Sequence, residues 1–236
     1  MAPTRSEAAQ ELRESRAALL ARRDLRGPAL RAALTALLDG WLGRLADSAG
    51  LGPDSALVAV GGLGRAEPAP YGDLDLVLLH SGRPGLAQQA QRIWYPIWDS
   101  GVGLDHSVRT LKEARTVAEQ DAKVALGLLD ARHVAGASWL TEALVGAAHQ
   151  VWRARAQAHL PELAKAMRQR QRTAGELAYL LEPDLKQSLG GLRDCVVLHA
   201  LAAAQLVDEP GLDIRSARTL LLDVRGEVHR RSGRTA

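Results

Sequence analysis

Apolar residues recur at helical spacing through the first fifty positions. Leu12, Leu19 and Leu20 form one set, and Leu30, Leu34, Leu37, Leu38, Trp41, Leu42 and Leu45 form a second. Gly27-Pro28 separates the two, and Pro28 suits the first turn of the second helix. After Gly50-Leu51-Gly52-Pro53 the pattern changes. Residues 56–60 are a short apolar run bounded by glycine, which predicts a buried strand. Gly61-Gly62-Leu63-Gly64-Arg65 follows as a tight loop or a helix start. The Pro-rich turn Pro68-Ala69-Pro70-Tyr71-Gly72 leads into a second strand over 73–79. A helix over 87–98, a third strand over 102–109 and a helix over 112–135 complete this part. From Trp139 onward the pattern is almost entirely helical. Glu182-Pro183-Asp184 interrupts it, the segment 186–194 follows, and a last helix near 217–230 runs into Ser232-Gly233-Arg234-Thr235-Ala236.

Three stretches follow from this: a helical segment over 1–50, a strand-bearing domain over 51–136, and a helical domain over 137–236 that looks truncated at its C-terminal end. The fold class is α+β, with a small mixed sheet between helices. No internal repeat or low-complexity tract is present.

Composition narrows the class. Of the 236 residues 47% are hydrophobic, enough for a globular core, yet aromatic residues are 3% and Phe is absent, so Leu, Ala and Val must fill the interior. Thirty basic residues oppose 27 acidic ones, spread along the chain. A nucleic-acid groove normally gathers basic residues with stacking aromatics, so no nucleic-acid partner is expected. Cys195 is the single cysteine, which excludes an internal disulfide and a thiolate cluster. No apolar run approaches the ~20 residues that span a bilayer, and the first residues carry no signal-peptide core. The expectation is a cytoplasmic protein without membrane contact. The scattered histidines, His133, His149 and His199 among them, lack ligand spacing. Trp94, Trp98, Trp139 and Trp152 are expected in the core.

Asp73 and Asp75 carry the candidate chemistry. Two apart on a strand, their carboxylates project from one face, while Leu74, Leu76 and Leu78 supply the opposite, core-facing side. Two acids side by side repel, and a divalent cation relieves that repulsion. Magnesium takes oxygen ligands from one or two carboxylates plus substrate phosphates. Taken alone, the pair also fits a solvated strand edge. The preceding loop changes the picture: Gly61 and Gly62 let backbone N–H groups approach a phosphate, and Arg65 offers a bidentate contact.

Gly61-Gly62-Leu63-Gly64-Arg65-Ala66-Glu67 followed by Pro70-Tyr71-Gly72-Asp73-Leu74-Asp75-Leu76 resembles the nucleotidyltransferase signature of bacterial PII-protein uridylyltransferases, members of the polymerase-β-type superfamily. Trp98-Asp99 through His106-Ser107-Val108-Arg109-Thr110 resembles that family's third-strand segment. Glu182-Pro183-Asp184-Leu185-Lys186 with Gly190-Gly191-Leu192-Arg193-Asp194 resembles its later motif. Together the matches cover about 58–194.

The resemblance implies a polymerase-β-like fold over 51–136. It also implies transfer of UMP or AMP from UTP or ATP to a tyrosine of the signalling protein PII, releasing pyrophosphate. By that likeness Asp73 and Asp75 hold Mg2+, and Gly61, Gly62 and Arg65 meet the phosphates. A third carboxylate belongs on the third strand, with Asp105 best placed and Asp99 and His106 still open. Lys186 and Arg193 either reach the nucleotide or, as Arg193-Asp194, brace a helix start. Glycine at position 72 departs from the serine common in the family, which removes a hydroxyl that would bind phosphate. Full-length relatives carry a His-Asp phosphohydrolase domain and two ACT-type sensing domains. Neither is expected here, so nucleotide removal and glutamine sensing are expected to be absent. The alternative reading is a truncated, non-catalytic nucleotide-binding or regulatory paralogue.

Overall fold

The computed structural model describes residues 4–82 and 86–234; Thr235 and Ala236, the end of the tail noted above, lie outside them. Two helices open the chain, α1 (Arg5–Ala21) and α2 (Gly27–Ala49). Thr4 starts α1 with a reciprocal cap: its hydroxyl accepts the Glu7 N–H at 3.3 Å while its own N–H donates to the Glu7 carboxylate at 2.7 Å. α2 begins with proline in its first turn and ends at Gly50 in the left-handed conformation.

Four strands form one sheet in the order β3-β2-β1-β4, with β1 at Ser55–Val60, β2 at Leu74–His80, β3 at Leu104–Thr110 and β4 at Arg132–Gly136. β1 pairs antiparallel with β2 and with β4, whereas β2 and β3 run parallel. A one-turn helix, α3 (Gly61–Gly64), follows β1 directly. α4 (Leu86–Asp99) makes the crossover from β2 to β3. The sheet is mixed and small, as the sequence predicts.

One helix expected over 112–135 is instead three elements: α5 (Leu111–Gln120), α6 (Ala122–Leu129) and β4. Asp121 causes the first break, because its carboxylate accepts the N–H groups of Lys123 and Val124 at 2.8 and 3.1 Å and restarts the helix. β4 forms because β1 would otherwise leave an unpaired edge beside α2. Gly136, at φ 84, sits against the Ser55 carbonyl where a side chain would collide.

Both faces of the sheet are covered. Leu74, Leu76 and Leu78 pack with Leu57, Ala59 and the buried residues of α1, α2 and α4, including Trp41 and Trp94. Val77 and Leu79 pack on the other face with Ala56, Val58 and the long helix α7 (Ser138–Ala174), whose Trp152 is fully buried. The face that carries the acids is therefore a core face too, apolar below and acidic at its end. The core on that side is continuous across residues 136–138, since strand and α7 residues share it.

Two tryptophans depart from the expected interior. Trp98 is 44% exposed and Trp139 is 52% exposed; the Trp139 indole caps the Pro53 carbonyl at 3.1 Å. Trp152 keeps the expected place and donates to the Ala200 carbonyl of α8 (Leu192–Ala203). The final helix, α9 (Leu212–Ser232), leans on α2 through the Arg31–Asp223 ion pair and on the 65–70 loop through Arg218–Glu67.

Candidate active site at the end of the sheet

Asp73 precedes β2 by one residue and Asp75 lies on it, two apart, so their side chains share a face. Parallel pairing sets Asp105 of β3 directly beside Asp75. Asp73 and Asp105 are exposed and Asp75 is half-buried. Burial is the chief cause that raises the Asp75 carboxyl above the usual carboxylate range, and the Asp105 charge adds to it ahead of Asp73. The other candidates for a third acid sit elsewhere. Asp99 is taken by Arg5 at the end of α4, and His106 packs tilted against Trp94 and edge-on to Trp98 on the opposite face, centroids 5.0 and 5.4 Å away.

Glycine lets the acids lie where they do. A Cβ on Gly103 would overlap the Asp73 carboxylate, and one on Gly61 would overlap that of Asp75. Gly61 also has φ 57, so both its conformation and its neighbour require the missing side chain. Gly61 and Gly62 form the first turn of α3, opening toward Asp75. Gly72 makes the turn into the pair by donating its N–H to the Ala69 carbonyl at 3.0 Å.

The Arg65 guanidinium is held by Glu67 at 3.1 Å and by Asp130 at the end of α6, and Glu67 is shared with Arg218 of α9. Its charge still reaches Asp75. Arg65 thus ties together the loop, α6 and α9, and its fork is occupied by protein carboxylates.

The cations come from the far end of the chain. The Asp184 carboxylate accepts the N–H groups of Lys186 and Gln187 at 2.8 and 2.9 Å, which folds the loop after α7. Ser188 is fully buried and donates to the Ala174 carbonyl at 2.8 Å. Leu192 and Arg193 return their N–H groups to the Leu185 and Lys186 carbonyls at 2.9 and 3.1 Å. Lys186 and Arg193 are half-buried in this loop and sense the charge of Asp75. Burial first, and neighbouring cations second, lower both below their ordinary values. Asp194 braces the loop, accepting from Gly190 N–H at 2.8 Å and pairing with Arg170 at 2.5 Å, while Arg193 donates to the Gln187 amide at 3.0 Å.

The arrangement opposes three carboxylates on the sheet with cations on a separate loop. Among the described residues no group of three or more His, Cys, Asp or Glu is arranged to cage a metal. Asp73 and Asp75, crowded by Asp105, instead suit a hard cation that takes its other ligands from phosphate and water. Arg225 of α9, which no motif marks, also senses Asp73. Among the described residues no helix is long and apolar enough to cross a membrane.

A family model described as GlnD PII-uridylyltransferase matches residues 153–209, the segment that contains Lys186 and Arg193. The chain is 51% identical over 88% of its length to a bifunctional uridylyltransferase/uridylyl-removing enzyme of Streptomyces coelicolor, 25% of which is covered. It is 44% identical over 96% of its length to the enzyme of the same description from Mycobacterium tuberculosis, 30% of which is covered. A relative from Burkholderia lata is 34% identical over 86% of this chain and 25% of its own. The chain spans about a quarter to a third of the length of these curated relatives. Over most of its length, and in the segment that carries Lys186 and Arg193, the chain is similar in sequence to bacterial bifunctional uridylyltransferase/uridylyl-removing enzymes.

Proposed function

We propose that the chain transfers a nucleoside monophosphate from a nucleoside triphosphate to a tyrosine of a PII-type protein. The observation that carries this reading is the row Asp73, Asp75 and Asp105 on one face of β2 and β3, set opposite Lys186. UTP is the donor the relatives' names favour over ATP. The tyrosine oxygen attacks the α-phosphorus in line, an O–P bond forms, and the bond to the β-phosphate oxygen breaks with release of pyrophosphate. Asp105, exposed beside Asp75, accepts the proton of the attacking hydroxyl. Gly61 and Gly62 let the triphosphate approach the backbone. Lys186 and Arg193 neutralise it, and Arg65 adds charge from behind its two carboxylates. Asp73 and Asp75 would hold Mg2+, which when bound supplies charge neutralisation at the phosphates.

Transfer of label from α-labelled UTP, and separately ATP, onto purified PII protein tests the reading, with Asp73→Ala/Asp75→Ala as control. Label on PII that disappears in the control supports it. A folded chain that binds nucleotide and labels nothing would sink it, leaving a non-catalytic nucleotide-binding module. That second reading has one feature in its favour, glycine at position 72 where the family commonly has serine.

A further inference from the structure

Lys186 and Arg193 do not complete the cationic wall. Arg225 sits mid-way along α9, and its Nε is enclosed without a hydrogen-bond partner among the described residues. An enclosed guanidinium nitrogen with no acceptor is costly, and native structures normally satisfy such groups. Its neighbours on the helix are committed to ion pairs: Arg218 to Glu67, Asp223 to Arg31, and Glu227 to Arg230 and Arg231. Arg225 instead turns toward the site. Asp184 and Asp73 are the charges that act on it, and among charged neighbours it bears most on Lys186. It also lines a cavity of about 450 Å³ bounded by the start of α2, the Pro68–Pro70 turn and α9.

We propose that Arg225 is a phosphate-binding residue of this site, receiving the β- and γ-phosphates that leave as pyrophosphate. The inference rests on the nucleotidyltransferase reading given above. Lys186, Arg193 and Arg225 are three half-buried cations that share this end of the site with Asp73, Asp75 and Asp184, and none of those carboxylates satisfies the enclosed Arg225 Nε. Burial disfavours the charged form of all three, and repulsion from neighbouring cations adds to it for Lys186 and Arg193, while Asp184 and Asp73 favour the charge on Arg225. A guanidinium fork suits two phosphate oxygens. α9 then closes the phosphate end of the site, and a triphosphate is distinguished from a monophosphate by what reaches Arg225.

The test is equilibrium binding of inorganic pyrophosphate, UTP and UMP to the 236-residue chain and to Arg225→Met and Arg225→Lys, at fixed free magnesium. The expectation for Arg225→Met is roughly tenfold or greater loss for pyrophosphate and UTP, with UMP within about twofold. Arg225→Lys should fall between, and it carries the test if the methionine variant does not fold. Unchanged affinities, or equal losses for all three ligands, would overturn the inference. If PII is labelled and UTP binding ignores Arg225, the function stands and this inference falls. If pyrophosphate binding depends on Arg225 but nothing is labelled, the reverse holds.

Discussion

Asp75 and Asp105 are direct neighbours across the parallel pair β2–β3, two carboxylates side by side on adjacent strands. Burial first, and that adjacency second, raise the Asp75 carboxyl, which underlies the first prediction.

Because the folded carboxyl is raised, the folded state prefers Asp75 protonated. Its destabilising effect is absent below the unfolded value of about 3.9, grows as pH rises through the raised folded value, and is full above it. In chelator-treated protein, Asp75→Asn should therefore melt higher than the parent chain at pH 8. The gap should close as pH falls toward 4. Thermal melts across that range check it, and a gap that widens on acidification would contradict it. Added magnesium should raise the melting temperature of the parent and leave Asp75→Asn unmoved.

Gly103→Ala should damage transfer while sparing the fold. Gly103 is exposed, and the atoms nearest the new methyl are those of the Asp73 side chain. Displacing a reacting group by about 1 Å costs on the order of 100-fold in rate. The check is initial rate of PII labelling beside a urea melt that stays within about 0.5 kcal/mol of the parent.

Arg65→Ala should behave oppositely, as a stability variant. It strands Asp130, with a side chain 9% exposed, and leaves Glu67, 14% exposed, to Arg218 alone. Removing one partner of such a network costs on the order of 3 kcal/mol. Urea unfolding checks it, and restoration in the double variant Arg65→Met/Asp130→Leu would show that the stranded carboxylate is the cause.

Lys186→Met should weaken UTP about tenfold or more, a lost charged contact. UTP titration reads this directly, and the melting temperature without nucleotide should hold or rise, since a half-buried, repelled ammonium is removed.

Much of this was legible in the residues. Helical period, the Gly27-Pro28 break and the glycine-bounded run at 56–60 mark α1, α2 and β1 correctly, because local preference and burial agree there. β4 was hidden because Arg132-His133-Val134-Ala135-Gly136 has no alternation, and only the open edge of β1 makes it a strand. The two exposed tryptophans were hidden for a related reason: indole size argues for burial, while Trp98 and Trp139 gain their contacts at helix ends. Within the site, the pair Asp73 and Asp75 is visible by spacing, whereas the choice of Asp105 over Asp99 needs the β2–β3 register. Arg225 had no signal at all. It lies in an ordinary arginine-rich helix, and only the packing of α9 brings it to Asp73.

The distance along the chain between the acids and their facing cations bears on the order of assembly. Asp73 and Arg225 are roughly 150 residues apart, and contacts of such separation form late because closure entropy comes before any reward. On a ribosome the strands emerge and can pair while α9 is still unmade. A growing chain would thus hold paired strands with their acids in place before α9 docks and brings Arg225 to Asp73.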